Sequence, residues 1–464
     1  MRIVDRKEER RRVKKVLEES TSSVFVAIYG RRRIGKSTLV KLVLGENDVY
    51  FMADKSEQPV QRELLAKSLS DLFPEFDAVK YPTWDALFSA LNYRANQRFT
   101  LCLDEFPFLV LQAPELPSVL QRLIDSNALK YNVIVCGSSQ QMMEKAVLDS
   151  AEPLYGRANA IIKLMPIRLP YIKEALELTD CQAIEEYAVW GGVPRYWCLR
   201  ESEADLFSSI EYNLLNVNGT LYDEPNLLFL DDMTQSTQAQ TLLSVIGNGC
   251  NRLSEISARM EKKATDLSRP LKKLVDLGYL FKEIPFGENE ANSKRSLYKI
   301  ADPFMCFYYT YVVPNRSLIG MGRGNSVLKK VENTFTEYVS FWWEQFCLQA
   351  VSGQVLFGKS WGKASRWWGN GFDEMDKKSY PIEIDVVAES DDQTLLLGEC
   401  KWTEGEFAER LLNALRQKSR LLPFAKNRNI EFVLFLKSPL LDVNFSLPTD
   451  CHLLYPKDIL EYMF

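Results

Sequence analysis

Two stretches of the chain gather the residue types that handle phosphate. Gly30-Arg31-Arg32-Arg33-Ile34-Gly35-Lys36-Ser37-Thr38 sets two glycines around a basic run and closes on a lysine and two hydroxyls. Glycines at this spacing let the backbone curl until successive N–H groups face one anion. The lysine adds charge, and the serine hydroxyl suits a divalent cation. Leu101-Cys102-Leu103-Asp104-Glu105 is an apolar run that ends in adjacent carboxylates. Asp104 is placed to hold a Mg²⁺ shell, and Glu105 to polarise a water for attack on a γ-phosphate. The chemistry such a set implies is hydrolysis of a nucleoside triphosphate. The chain has no Asn-Lys-x-Asp guanine-reading motif, so adenine is the expected base.

A second constellation lies near the C-terminus. In Ile382-Glu383-Ile384-Asp385-Val386, alternation puts Asp385 on the face opposite Ile384 and Val386. In Leu395-Leu396-Leu397-Gly398-Glu399-Cys400-Lys401-Trp402 it puts Glu399 and Lys401 on one face. An acid followed by Glu-x-Lys on a neighbouring strand is the pattern of restriction-endonuclease-like nucleases. Asp385 and Glu399 would bind Mg²⁺ and Lys401 would position or activate a water. Glu344 is a candidate further ligand, on a helix whose apolar stripe is Val331, Phe335, Val339, Trp342, Phe346 and Ala350. Gln417 is a weaker addition. The alternative is that these are strand-edge charges on a module that binds without cutting.

The elements that must position these groups follow from periodicity. Continuous apolar runs at Val24–Tyr29, Val49–Met52, Thr100–Leu103, Val133–Cys136 and Ile161–Leu164 are what strands of a parallel sheet covered on both faces require, with helices such as Val60–Phe73 and Leu116–Leu129 between them. Residues 1–178 are therefore expected to form a RecA/AAA-like P-loop α/β core, and 179–235 a helical lid with a break at Gly191-Gly192-Val193-Pro194. Residues 236–315, with three helices and then a hairpin from Gly278-Tyr279-Leu280-Phe281 to Leu297–Ile300, have the winged helix-turn-helix order. The Gly/Ser/Asn-rich 316–327 is expected to be a linker. Residues 328–464 are expected to form a C-terminal α/β restriction-endonuclease-like domain, with a helix from about 328 to 351.

Composition narrows the partners. At 464 residues the chain has room for about three domains at ~100–200 residues each. Net charge is −5, so any nucleic-acid surface must be local. One such excess lies at Arg252, Arg259, Lys262, Lys263, Arg269, Lys272, Lys273 and Lys282, against Glu255, Glu261, Asp266 and Asp276. Arg269, Lys272 and Lys273 fall on the expected recognition helix. That face is read equally as a DNA contact, a protein-docking surface or a solvated lid face.

Nine scattered cysteines without a C-x-x-C pair, and a charged N-terminus, point to a reducing cytoplasm and no signal peptide. The single histidine, His452, rules out chemistry built on paired histidines. The longest aromatic-apolar stretch, Pro303 to Pro314, is about half the ~20 residues a membrane span needs, so no membrane partner is expected.

The motifs Tyr29–Ser37, Leu103-Asp104-Glu105-Phe106-Pro107, Cys136-Gly137-Ser138-Ser139, Pro153-Leu154-Tyr155-Gly156-Arg157 and Gly191-Gly192-Val193-Pro194 together resemble the archaeal-type ATPase family. This is an AAA-like, STAND-like branch of the P-loop NTPases, also found in bacteria. The resemblance runs through Ala301-Asp302-Pro303-Phe304 into the C-terminal domain. It implies ATP as the nucleotide, beside the Mg²⁺ expected from Ser37 and Asp104, with the Gly192-x-Pro194 turn approaching the nucleotide from the lid. Ser138 is placed to sense the γ-phosphate, although a helix N-cap at Ser138-Ser139 is equally natural. Arg157 is read as an arginine finger, in cis or in trans, or as a surface arginine. The expectation is an ATP-driven switch coupled to a DNA endonuclease in DNA processing or defence. The alternative is a regulatory ATPase that binds DNA or a protein partner without cleavage. Homo-oligomerisation is left open.

Overall fold

A computed structural model describes residues 4–232, 236–289, 293–373, 377–405, 407–438 and 446–463. Five strands, β1 (Phe25–Gly30), β2 (Val49–Met52), β3 (Thr100–Asp104), β4 (Asn132–Gly137) and β5 (Ala160–Leu164), form a parallel sheet in the order β2-β3-β4-β1-β5. Every residue of β1, β3 and β4 is buried, which explains why these runs are apolar without alternation. Ile28 pairs with Cys136 and Leu103 with Val135, so Gly30, Asp104 and Gly137 end side by side at the carboxyl edge of the sheet. That edge is where ligands bind in open α/β folds.

After the sheet come the helices Asp180–Trp190, Pro194–Glu201, Leu206–Leu214 and Glu224–Asp232. Helices Ser236–Gly247, Leu253–Met260 and Ala264–Asp276 follow, with an antiparallel pair of strands, β6 (Leu280–Glu283) and β7 (Leu297–Ile300). This is the winged-helix order. The pair β8 (Val355–Leu356) and β9 (Lys359–Ser360) precedes a second sheet: β10 (Ser365–Asp373), β11 (Lys378–Glu389), β12 (Leu395–Lys401), β13 (Ile430–Leu436) and β14 (Cys451–Leu454), in sequential order. Its first two pairings are antiparallel and the last two parallel. The long helix Gly324–Val351 packs through Val339, Trp343 and Phe346 against Val386, Leu396, Val433 and Phe435 on one face. Leu412 and Leu415 of the helix Ala408–Arg420 cover Leu395, Leu397 and Leu434 on the other.

Two expectations change. The segment 316–327 is not an open linker. It holds the helix Arg316–Gly320, and the long helix begins at Gly324, earlier than the apolar stripe indicated. The glycines belong to packing here: a Cβ at Gly324 would lie 2.1 Å from the Leu215 carbonyl oxygen. Moreover, one continuous apolar core joins Ile172, Trp190, Leu243, Phe307, Trp343 and Phe435, so lid, winged helix and C-terminal sheet pack as a unit. β10 and β14 were not anticipated. β10 reads Ser-Arg-Trp-Trp-Gly-Asn-Gly-Phe-Asp, a half-exposed edge without clean alternation.

Replacing Gly324 with alanine forces the long helix off Leu215. Gly324→Ala should cost about 1–3 kcal/mol, read as a lowered calorimetric unfolding midpoint. Gly320→Ala, where a Cβ meets nothing within 4 Å, should leave the midpoint unchanged or raise it. Equal midpoints for the two variants would remove the close-approach account.

Candidate nucleotide site and C-terminal charge cluster

The phosphate loop connects β1 to the helix Lys36–Val43. Gly35 has φ +97°, a conformation open to glycine, and a Cβ on Gly30 would lie 2.6 Å from the Leu164 carbonyl of β5. Lys36 is buried, and its Nζ donates to the carbonyls of Gly30 (2.9 Å) and Arg31 (3.0 Å). Ser37 Oγ donates to Asp104 Oδ2 at 2.7 Å, and the same oxygen accepts from Tyr50 Oη at 2.5 Å. Asp104 Oδ1 accepts the Glu105 amide, which turns Glu105 into the left-handed region at φ 52°. Glu105 Oε2 in turn accepts from Ser138 Oγ (3.0 Å) and the Ser138 amide.

Of these groups, Gly35, Lys36, Ser37, Glu105 and Ser138 line a cavity of about 550 Å³. Its walls include Arg32 to Leu39, Glu105 and Ser138, together with Asp5 and Arg6 from the N-terminus and Pro194, Arg195 and Cys198 from the lid. A hydroxyl and a carboxylate 2.7 Å apart at the foot of the phosphate loop are a donor set suited to Mg²⁺.

Residues 3–196 match a family described as an ATPase domain predominantly from Archaea. The chain carries an archaeal-type ATPase domain. Residues 308–414 match a second family, described as Archaea bacterial proteins of unknown function. An uncharacterized protein of Methanocaldococcus jannaschii is 28% identical over 430 residues, covering 90% of this chain and 92% of that protein. A Walker-type ATPase of Pyrococcus abyssi is similar in fold, with 20% identity over 66% of this chain and 96% of that one, at TM-score 0.51. The ORC2 protein of Aeropyrum pernix, in ADPNP-ADP complexes, matches at 14% identity over 69% of this chain and 96% of that one, with TM-score 0.47.

The ATPase domain places most of the residues singled out from sequence around one cavity, and a few elsewhere. Gly192 packs against β5's exit: its carbonyl accepts the Ile167 amide at 2.8 Å, and a Cβ there would sit 2.1 Å from the Ile167 carbonyl. That contact brings Pro194 to the cavity wall. Arg157 does not line the cavity; it grips Asp125 through two hydrogen bonds of 2.7 and 2.8 Å. Ser139 caps the helix Gln140–Leu148 while Ser138 alone meets Glu105.

The side chains of Arg31 and Arg33 leave the loop altogether. Arg31 reaches Asp302 at 2.6 Å, and Arg33 reaches Glu224 at 2.5 Å. Sequence reasoning missed Tyr50, which lies on a strand without a motif. It also missed Arg6, whose guanidinium ties the Ile34 carbonyl (3.1 Å) to the Met165 carbonyl (2.8 Å). Their pairings span 54 and 159 positions, beyond any local signal.

On the winged helix, Arg269 and Lys272 are exposed, whereas Lys273 donates to Gln141 of the ATPase domain at 3.1 Å. Only part of the basic face is therefore available to a partner.

In the C-terminal sheet the antiparallel β11–β12 pairing brings Asp385 beside Glu399. Asp385 Oδ2 accepts the Cys400 amide at 2.9 Å. Glu399 is buried, with Lys401 on one oxygen and Lys418 on the other, each at 2.8 Å. Burial and the neighbouring Glu399 carboxylate raise the Asp385 carboxyl above its ordinary range. For Glu399, burial works upward, but the two lysines prevail and hold it low. Lys418 occupies the place proposed for Gln417, whose side chain is exposed one position earlier on the helix.

Glu344 lies in a cavity of about 460 Å³ between the winged helix and the C-terminal sheet, with Arg366 Nε 3.7 Å away. Burial first, then the charge of Asp385, pushes its carboxyl up to about 7. Among the described residues no three His, Cys, Asp or Glu side chains come together as a metal cluster, so the expected Glu344-Asp385-Glu399 ligand set is not assembled in this arrangement. Of that set, Asp385 and Glu399 stand side by side across the β11–β12 pair.

A carboxyl raised on folding binds a proton that the unfolded chain has released. Its contribution to stability therefore falls as pH rises from about 4.5 to about 7. Glu344→Gln should stabilise the protein at pH 8 by up to about 3 kcal/mol and change little at pH 4. Denaturant unfolding at both pH values checks it; a gain that is the same at both would mean that Glu344 is not held protonated.

Proposed function

We propose that the chain is an ATP-binding and ATP-hydrolysing switch, coupled to a Mg²⁺-dependent DNA endonuclease in its C-terminal sheet. The observation that carries the first part is the linked pair of contacts Ser37–Asp104 and Glu105–Ser138 on the wall of the phosphate-loop cavity. In this reading the loop amides and Lys36 bind the β- and γ-phosphates, while Ser37 and Asp104 would hold Mg²⁺, which supplies charge neutralisation when bound. Glu105 orients the attacking water, whose oxygen bonds to the γ-phosphorus as the β–γ bridging oxygen leaves with ADP. Ser138 restrains Glu105 until a γ-phosphate competes for its hydroxyl. Pro194 and Arg195 bring the lid to the nucleotide. Arg157, turned away from its own cavity, would serve only a neighbouring copy. A cytoplasmic setting fits nine free cysteines, and among the described residues no helix is long and apolar enough to cross a membrane.

Support for the second part is the juxtaposition of Asp385, Glu399 and Lys401 across β11 and β12. Asp385 and Glu399 would hold a divalent cation, and Lys401 is placed to orient a water. One observation favours the regulatory alternative, in which the domain binds DNA or a protein without cutting. Both Glu399 oxygens are taken by lysines, and Glu344 is engaged by Arg366.

Two measurements decide between these readings. Lys36→Ala should abolish nucleotide uptake in calorimetry, and Glu105→Gln should bind ATP yet turn over about 10²-fold more slowly or less. Turnover by Glu105→Gln equal to the parent's would take Glu105 out of the mechanism. Separately, the protein with DNA, ATP and Mn²⁺ or Mg²⁺ should nick the substrate on a gel while Asp385→Ala leaves it intact. Intact DNA with both proteins, alongside normal ATP turnover, would leave the regulatory reading standing.

A further inference from the structure

The loop that should hold phosphate and the cluster that should hold the second cation are joined by a short run of the winged helix. At one end, Arg31 is buried, with Nη1 on Asp302 Oδ2 and its guanidinium 5.2 Å from the Tyr279 ring centre. Burial opposes its charge, but Asp302 outweighs that and keeps it cationic. Asp302 Oδ1 simultaneously caps the helix Pro303–Phe307 through the Met305 amide at 2.8 Å.

Two residues before Asp302, β7 ends, and on β7 Lys299 pairs with Glu283 of β6 at 2.8 Å. Glu283 Oε2 also accepts from Arg366 of β10 at 3.1 Å, and Arg366 faces Glu344 and Glu383. Beyond β6 the wing lies along β10. The Phe286 amide donates to the Arg366 carbonyl (2.8 Å), and Arg295 donates to the Trp368 carbonyl (2.6 Å). Phe286 also packs on Phe424, with ring centres 5.4 Å apart.

We propose that Arg31 is the positioning residue through which occupation of the phosphate loop controls the wing. In the arrangement seen here, the wing holds the C-terminal acidic site closed. The inference deepens the switch-and-nuclease reading and rests on it. Its chemistry is a competition at one residue. The carbonyl of Arg31 accepts from Lys36, and the side chain of Arg31 grips Asp302. A polyphosphate in the loop recruits Lys36 away from that carbonyl and attracts the guanidinium with more charge than one carboxylate offers, so the grip on Asp302 weakens. Asp302 is two residues from β7, and its release frees Lys299 and Glu283. Arg366 then loses the wing partner that keeps it against Glu344, and Glu344 becomes available beside Asp385. Before that release, a guanidinium stands where a cation ligand is needed.

The test is hydrogen exchange on the full chain, with a non-hydrolysable ATP analogue and Mg²⁺, followed at β6, β7 and β10. In the parent, the analogue should speed exchange there. Asp302→Asn keeps an acceptor for the Met305 amide but loses the ion pair. It should exchange at least about tenfold faster at these strands without nucleotide, and gain little more with it. Glu283→Gln should loosen the same strands while the phosphate loop exchanges as in the parent.

The inference is overturned if the analogue binds by calorimetry yet leaves β6, β7 and β10 of the parent unchanged, or if Asp302→Asn matches the parent in both states. Exchange that responds while DNA stays uncut sinks the nuclease reading and keeps the coupling; cutting without a response at the wing does the reverse. No uptake of the analogue would overturn both.

Discussion

Asp104 is a carboxylate at the tip of a strand buried along its whole length, 1% exposed. A charge placed there persists only if protein groups supply what water would have supplied. Ser37, Tyr50 and the Glu105 amide do so, and each demand fixes an element. Ser37 requires the phosphate loop to end within reach of β3, which sets β1 beside β4. Tyr50 requires β2 to run parallel at β3's outer edge. The Glu105 amide requires a left-handed turn that aims the next carboxylate at Ser138. The geometry of the cavity thus follows largely from satisfying one buried anion.

That constraint also explains what could be read in advance. The phosphate loop and the Asp-Glu strand end are local patterns, because backbone curvature and strand burial must be written where they occur. The restraining roles of Tyr50, Arg6 and Lys418 depend on which strand or helix arrives from far along the chain, and a single tyrosine, arginine or lysine carries no mark of its future neighbour. Asp302 was legible only as part of a resembling motif; its grip on Arg31 spans 271 positions. The glycine-rich 316–327 misled for a related reason. Composition there looks like freedom, but Gly324 is small because a backbone carbonyl presses on it.

The two charged sites differ in kind. Around the phosphate loop, the arginines at positions 31 and 33 are committed to Asp302 and Glu224 in other parts of the chain, so the loop is tied outward to lid and wing. In the C-terminal sheet, the carboxylates are matched by cations from their own sheet and from the helix packed on it. Alternation in the sequence puts Glu399 and Lys401 on one face, and Lys401 Nζ lies 2.8 Å from a Glu399 oxygen. What alternation does not report is the state of those groups, because Lys418 and Arg366 arrive from a helix and an edge strand with no pattern pointing there.

The wing's position on β10 has a consequence for solubility. β10 borders its sheet, and an uncovered border strand offers a row of backbone donors and acceptors to any passing chain. Here two of its carbonyls are spoken for by Phe286 and Arg295, and Trp368 on the same strand is partly exposed. Lifting the hairpin would bare those two carbonyls together with the partly exposed Trp368, so the hairpin keeps this margin of the sheet from pairing with other chains.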